Sequence, residues 1–257
     1  MPPLTRPRRA RPAAVVALTV VLSLALGGCG LDLFSDKEKP KALPSPTLPA
    51  SPLESSGAEP KPAASLKEYY TQDVSWESCR SDKLCATIEV PLDYAHPAAK
   101  SISLSLIKVP AASRRQRVGS LLVNPGGPGG SGIEFAAQSS VYLGSELQQA
   151  FDVIGFDPRG VGESTPIHCL PDEALDQLVA SDPDPDTAAE IRESDRLLAE
   201  LGQGCVDESG ELASHMSTVE AAKDMDIIRA VVGDRRLSYF GASYGTLLGA
   251  TYAELFP

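Results

Sequence analysis

Ser243 stands in Gly241–Ala242–Ser243–Tyr244–Gly245, a Gly-x-Ser-x-Gly stretch that follows the short apolar run Leu237–Ser238–Tyr239–Phe240 and precedes a helical pattern. This is the pattern of a nucleophile elbow, in which a strand turns sharply into a helix. The serine hydroxyl is then exposed at the strand's carboxyl end, beside helix N–H groups that lack intrahelical partners. Gly241 and Gly245 leave room for a strained serine backbone and for close passage of the helix. An ordinary glycine-containing turn produces the same letters, so the reading depends on what surrounds it. A second stretch bears on it: Asn124–Pro125–Gly126–Gly127–Pro128–Gly129–Gly130–Ser131–Gly132, again after an apolar run. Such a loop exposes backbone N–H groups and can supply one donor to the oxyanion of a tetrahedral intermediate, the other being the N–H of Tyr244. Gly127, Gly129 and Gly132 also fit a dinucleotide-binding fingerprint, with Asp157 near the place of a ribose-binding acid. Pro128 and the two strands preceding the supposed first one weigh against that reading. No Gly-Lys-Ser/Thr follows, which excludes a P-loop.

The third stretch, Asp157–Pro158–Arg159–Gly160–Val161–Gly162–Glu163–Ser164, closes an apolar run and reads as a tight turn with a buried Asp or Arg contact rather than as catalytic machinery. The three histidines, His96, His168 and His215, show no ligand spacing, and no Cys-x-x-Cys occurs, so no metal site is expected. His215, just before a capping box, reads as a surface or cap residue.

The elements that must position these residues begin after a leader. Residues 1–28 combine Arg6, Arg8, Arg9 and Arg11 with an uncharged apolar run from Ala13 to Leu26, the pattern of a signal peptide. That run falls short of the ~20 residues of a comfortable membrane span. Leu26–Gly27–Gly28–Cys29 resembles a bacterial lipobox, with Cys29 as the lipid-modified residue; plain secretion is the alternative. A lipid on Cys29 would tether the protein to the membrane on the outer side of the cell. Residues 29–65, rich in Pro, Ser, Ala and Lys, read as a disordered linker. Loss of residues 1–28, with four arginines and no acid, takes the formal charge from −11 to −15. Nucleic acid is therefore excluded as a partner. Cys79, Cys85, Cys169 and Cys205 form an even set in an exported chain. Proximity favours Cys79–Cys85 and Cys169–Cys205 among three possible pairings.

The folded domain is expected over 66–257. Ala86–Pro91 and Ser101–Ile107 read as an antiparallel pair, the second strand alternating polar and apolar. Gly119–Asn124 and Phe151–Phe156 are apolar without alternation, as in strands buried on both faces, and residues 132–150 can hold a crossover helix that makes them parallel. An acidic insertion with a helix around Ala188–Leu201 occupies about 165–215, its charge run read as a solvated face. Ser217–Glu220 is a capping box. Ala221, Met225, Ile228 and Val232 then form a stripe and Gly233 a stop. Beyond Ser243, the small residues Gly245, Gly249 and Ala253 share a helical face that can approach the sheet. The order is that of an α/β architecture.

Taken together, Asn-Pro-Gly-Gly-Pro-Gly-Gly at 124–130, Asp-Pro-Arg-Gly-x-Gly-x-Ser at 157–164 and Gly-Ala-Ser-Tyr-Gly-Thr at 241–246 resemble the prolyl/tripeptidyl aminopeptidase branch of the α/β-hydrolases. The resemblance covers about residues 75–257. Pro125 replaces the His of prolyl aminopeptidases, as in tripeptidyl-releasing relatives. The resemblance implies an α/β-hydrolase fold, a mostly parallel sheet opened by antiparallel strands. It implies a serine exopeptidase acting on peptide substrates with free N-termini and requiring no cofactor. Ser243 would be the nucleophile, and the N–H groups of Gly127 and Tyr244 would be the oxyanion donors. The family places the triad Asp and His and the last strands after the serine. Only 14 residues follow Ser243, with Glu254 and no histidine. The chain is thus expected to be the N-terminal part of such an enzyme, lacking the C-terminal strands and inactive alone. Another α/β-hydrolase, such as an esterase, and an inactive lipoprotein remnant are the competing functions.

Overall fold

The computed structural model describes residues 62–257. The expected leader, Cys29 and the expected linker up to residue 61 lie outside the described residues. Among those described, no helix is long and apolar enough to cross a membrane. A 3-10 turn at Ala64–Leu66 runs into α1 (Lys67–Tyr70), and six strands follow: β1 (Glu77–Cys79), β2 (Lys83–Pro91), β3 (Ser101–Val109), β4 (Gly119–Asn124), β5 (Phe151–Phe156) and β6 (Ser238–Gly241). They form one sheet in the order β1-β2-β3-β5-β4-β6. β1, β2 and β3 pair antiparallel, β3 meets β5 antiparallel, and β4 lies parallel between β5 and β6. β1 was not legible in the sequence. It is three residues long and is held to β2 by the Cys79–Cys85 disulfide across the hairpin.

The side-chain pattern explains this order. In β3, Ile102, Leu104 and Leu106 are buried on one face, the period-two signature of a half-covered strand. All six residues of β4 are buried, because both of its faces carry helices. Leu122, Ile154 and Phe156 face one core, shared with Ile88, Val90, Leu104 and the helices α7 (Thr218–Val231) and α8 (Tyr244–Leu255). Leu121, Val123 and Val153 face the other, with Ile133, Ala136 and Leu143. The crossover from β4 to β5 is three short helices, α2 (Gly132–Ala137), α3 (Ser139–Tyr142) and α4 (Ser145–Ala150), rather than one. Leu143 is extended (ψ 133°) and buried, and extended Gly144 follows it, so no single helix can run through.

The region between β5 and α7 holds α5 (Asp172–Val179), α6 (Ala188–Ser209) and a 3-10 turn at Gly210–His215. α6 starts from a Thr187/Glu190 capping box and runs past Leu201 to Gly210, whose φ of 54° ends it. Its last turns are bonded back through Cys169–Cys205. Most of the Asp182–Asp186 run is exposed, as a solvated face requires.

α7 begins at the expected Ser217/Glu220 capping box and ends before Gly233 (φ 85°). Its burial exceeds the single stripe read from the sequence, since Asp224, Asp226 and Arg229 are buried beside Met225, Ile227 and Ile228. Asp224 receives Arg159 through two bonds of 2.8 and 2.7 Å and the Tyr94 hydroxyl at 2.7 Å. The remaining Arg159 donors reach the carbonyls of Leu92 (3.0 Å), Pro91 (3.1 Å) and His215 (3.1 Å). Complete burial pushes the Asp224 carboxyl up, and the guanidinium works against that shift. Asp226 likewise accepts from Arg229, Tyr70 and Tyr252, which fastens α1 and α8 to α7. Removing one partner of a buried pair leaves an uncompensated charge. Arg159→Met is expected to cost about 3–5 kcal/mol in urea unfolding of the full chain at neutral pH, and a loss below ~1 kcal/mol would contradict this role.

Candidate active site

β4 and β6 are neighbours and end at the same level, since Asn124 is in register with Gly241. The chain leaves β4 toward β5 on one side and returns as β6 on the other. The crevice beyond their carboxyl ends is therefore the switch point at which doubly wound sheets bind ligands. Ser243 lies there between β6 and α8 with φ 52° and ψ −125°. A positive φ in a non-glycine residue is strained, and here it turns the serine out of the strand direction at the head of a helix. Ser243 is exposed. Its carbonyl accepts the Thr246 N–H (2.9 Å) and hydroxyl (2.7 Å), and the Ala242 carbonyl accepts the Gly245 N–H (2.7 Å), so the turn is closed without the serine hydroxyl. Burial pushes the Tyr239 hydroxyl up, keeping it protonated; it donates to the Gly245 carbonyl at 2.8 Å.

Asn124, 1% exposed, joins this turn to the glycine loop. Its backbone carbonyl accepts the Ala242 N–H at 3.0 Å and its side-chain oxygen accepts the Gly126 N–H at 2.9 Å. Gly126 (φ 99°) packs directly on the elbow. A Cβ placed there would stand 2.5 Å from the Ala242 carbonyl oxygen, 2.9 Å from the Ser243 Cβ and 2.9 Å from the Tyr244 nitrogen. A methyl group would thus collide with the backbone of the elbow. Gly245 is tight in the same way, its Cβ position lying 2.8 Å from the Asn124 carbonyl oxygen. Farther along α8, Gly249 packs against the Tyr239 ring, whereas Ala253 is exposed and takes no part in the approach to the sheet. The Tyr244 amide, directly after the serine, and the Gly127 amide, directly after Gly126, carry no protein acceptor among the described residues.

Asp157 fixes the far end of the loop. Its carboxylate accepts the Ser131 hydroxyl (2.6 Å) and the N–H groups of Ile133 (3.2 Å) and Glu163 (2.9 Å). These bonds occupy the group that a ribose would need, which removes the dinucleotide reading and leaves Asp157 a structural anchor. Arg80, in the turn closed by Cys79–Cys85, adds ion pairs to Glu134 of α2 and to Glu163. The histidines are engaged elsewhere. His96 pairs with Asp93 (2.6 Å) and His215 with Glu220 (2.8 Å), and the backbone N–H and carbonyl of His168 bond the Ser209 hydroxyl. No histidine hydrogen-bonds to Ser243 among the described residues.

Sequence reasoning missed Asn124, which looked like the mere end of a strand. A polar residue closing an otherwise apolar run before glycines was the available signal. Asn124→Ala should leave the buried Gly126 N–H without its acceptor. It is expected to cost about 1–3 kcal/mol in urea unfolding and to speed amide exchange at Gly126 and Ala242. Unchanged exchange at both would show that Asn124 does not hold the loop to the elbow.

The alpha/beta hydrolase fold family matches residues 119–257. A tripeptidyl aminopeptidase of Streptomyces coelicolor is 42% identical over 193 residues, covering 72% of this chain and 36% of that protein. The serine protease Hip1 of Mycobacterium tuberculosis is 41% identical over 198 residues, covering 72% of this chain and 38% of its own length. Carboxylesterase B of Mycobacterium tuberculosis is 39% identical over 168 residues, covering 60% and 32%. The chain spans about a third of the length of these relatives. A glycine loop and a strained serine at adjacent strand ends, inside a match that takes in more than half of the sequence, lead to one family: the chain belongs to the alpha/beta hydrolase fold family.

Proposed function

We propose that Ser243 is the nucleophile of a serine exopeptidase that releases short peptides from free N-termini. The N–H groups of Gly127 and Tyr244 would hold the oxyanion. The observation that carries this is the strained Ser243 backbone, with Gly126 packed against it and the Tyr244 N–H left open. In this reading Ser243 Oγ attacks the scissile carbonyl, its proton passes to a base, and the developing negative charge settles between two preorganised donors. Losing one such donor typically costs about 10²–10³ in rate. The base and its orienting acid are proposed to come from polypeptide that the relatives possess beyond the aligned region. The tripeptidyl aminopeptidase and the serine protease among those relatives favour peptide substrates; the carboxylesterase favours an ester as the second reading. Export and a lipid on Cys29 belong to the same proposal and rest on the leader sequence alone.

The 257-residue chain is expected to react with a fluorophosphonate only slowly. Joined to the C-terminal remainder of the Streptomyces coelicolor relative, it is expected to release tripeptides from N-terminally free peptides and to lose that activity in Ser243→Ala. Rapid stoichiometric labelling of the 257-residue chain at Ser243 would refute the need for an external base. Cleavage of esters but not of peptides by the joined protein would select the esterase.

A further inference from the structure

Outside the serine site, the fold gathers imidazole and carboxylate groups that are far apart in the chain. Asp93 lies in the turn after β2, His215 ends the 3-10 turn that closes the insertion, and Glu220 lies in the first turn of α7. One ligand atom from each lies within 4.8 Å of the other two, and all three side chains are partly buried. His96, mostly exposed, bonds the same carboxylate, its Nδ1 2.6 Å from Asp93 Oδ2.

We propose that Asp93, His215 and Glu220 bind a divalent cation of the zinc class, with water completing the coordination. The ligand chemistry selects the metal. A site with imidazole and carboxylate donors suits Zn²⁺ and its transition-metal neighbours, whereas Ca²⁺ and Mg²⁺ prefer oxygen donors alone. Zinc bonds to such donors are about 2.0–2.2 Å, so tetrahedral ligand atoms stand roughly 3.4 Å apart. Binding would require side-chain rotations that bring the three ligand atoms to that spacing. The charges agree. The hydrogen bond from His96 holds the Asp93 carboxyl below its ordinary range. Burial works to raise Glu220, but bonds from His215 and Ser217 and the nearby Arg159 outweigh it. Arg159 Nη1 is 3.9 Å from Glu220 Oε1, yet that guanidinium already faces Asp224, so the site keeps negative charge for a cation to meet.

The three residues are held before a metal arrives. The Ala95 N–H holds Asp93, the Ser217 capping box holds Glu220, and Arg159 grips the carbonyls of Leu92 and His215. A bound cation would close the end of the insertion onto the sheet and onto α7. His215 would exchange its bond to Glu220 for a bond to the metal.

The test is calorimetric titration of ZnCl₂ into the full chain, disulfides intact, carrying Cys29→Ser so that no thiol outside the two disulfides competes. One zinc per chain and a raised Tm reversed by chelation are expected. His215→Gln and Asp93→Asn, each checked for native circular dichroism, should weaken binding at least about tenfold and abolish the Tm rise, while His168→Gln leaves both unchanged. Co²⁺ in place of zinc should give the visible spectrum of a four- or five-coordinate site. No saturable binding up to about 1 mM zinc, or equal binding by the parent and both ligand variants, would overturn the proposal.

Discussion

The serine site depends on two parallel strands ending side by side, so that one residue can serve both. Asn124 is that residue. Its backbone oxygen takes the Ala242 N–H of the elbow and its side-chain oxygen takes the Gly126 N–H of the loop. The separation between serine and loop is thereby set by two hydrogen bonds about 3 Å long to one buried residue. Close approach then dictates composition. Gly126 and Gly245 have no space for a Cβ, and Ser243 must accept a positive φ because the helix begins at once. The strain is tolerable because β6, α8 and Tyr239 hold the turn from three sides.

The turn after β5 ties this arrangement to the rest of the molecule through two buried charges, two residues apart. Asp157 points into the start of α2 and fixes the distal end of the glycine loop. Arg159 points the other way, to Asp224 on α7 and to the backbone at the end of β2. Ser164 and Thr165 then bond the exposed edge of β3 beyond the end of β5, accepting the N–H groups of Ser105 and Ser103 in place of a neighbouring strand. One short segment thus braces the sheet edge, the glycine loop and the helix that leads into β6. On the far side, β6 pairs with β4 alone among the described strands, and Phe240 and Leu247 are 39% and 56% exposed.

What was legible in the sequence follows from range. Alternation in β3, continuous burial in β4 and β5, the Ser217 capping box and the Gly-x-Ser-x-Gly turn are local, because each is written within a few residues by backbone geometry and solvent exposure. Asp224, Asp226 and Arg229 were not legible. In a helix pattern they look like a solvent face, and it is distant partners, Arg159 65 residues earlier and Tyr94, that make Asp224 a core residue. The meeting of Asp93 with His215 and Glu220 was hidden for the same reason, since no spacing rule spans that distance. β1 escaped notice because three residues carry no periodicity.

The central claim is that the backbone at the ends of β4 and β6 is a preformed oxyanion site beside Ser243. It is measured most directly by a crystal structure of the protein bearing a phosphonate on Ser243. The account predicts the phosphoryl oxygen about 2.7–3.1 Å from both the Gly127 and Tyr244 nitrogens, with Ser243 still at positive φ. An oxygen directed to solvent, or a Gly127 N–H turned onto a protein carbonyl, would contradict it.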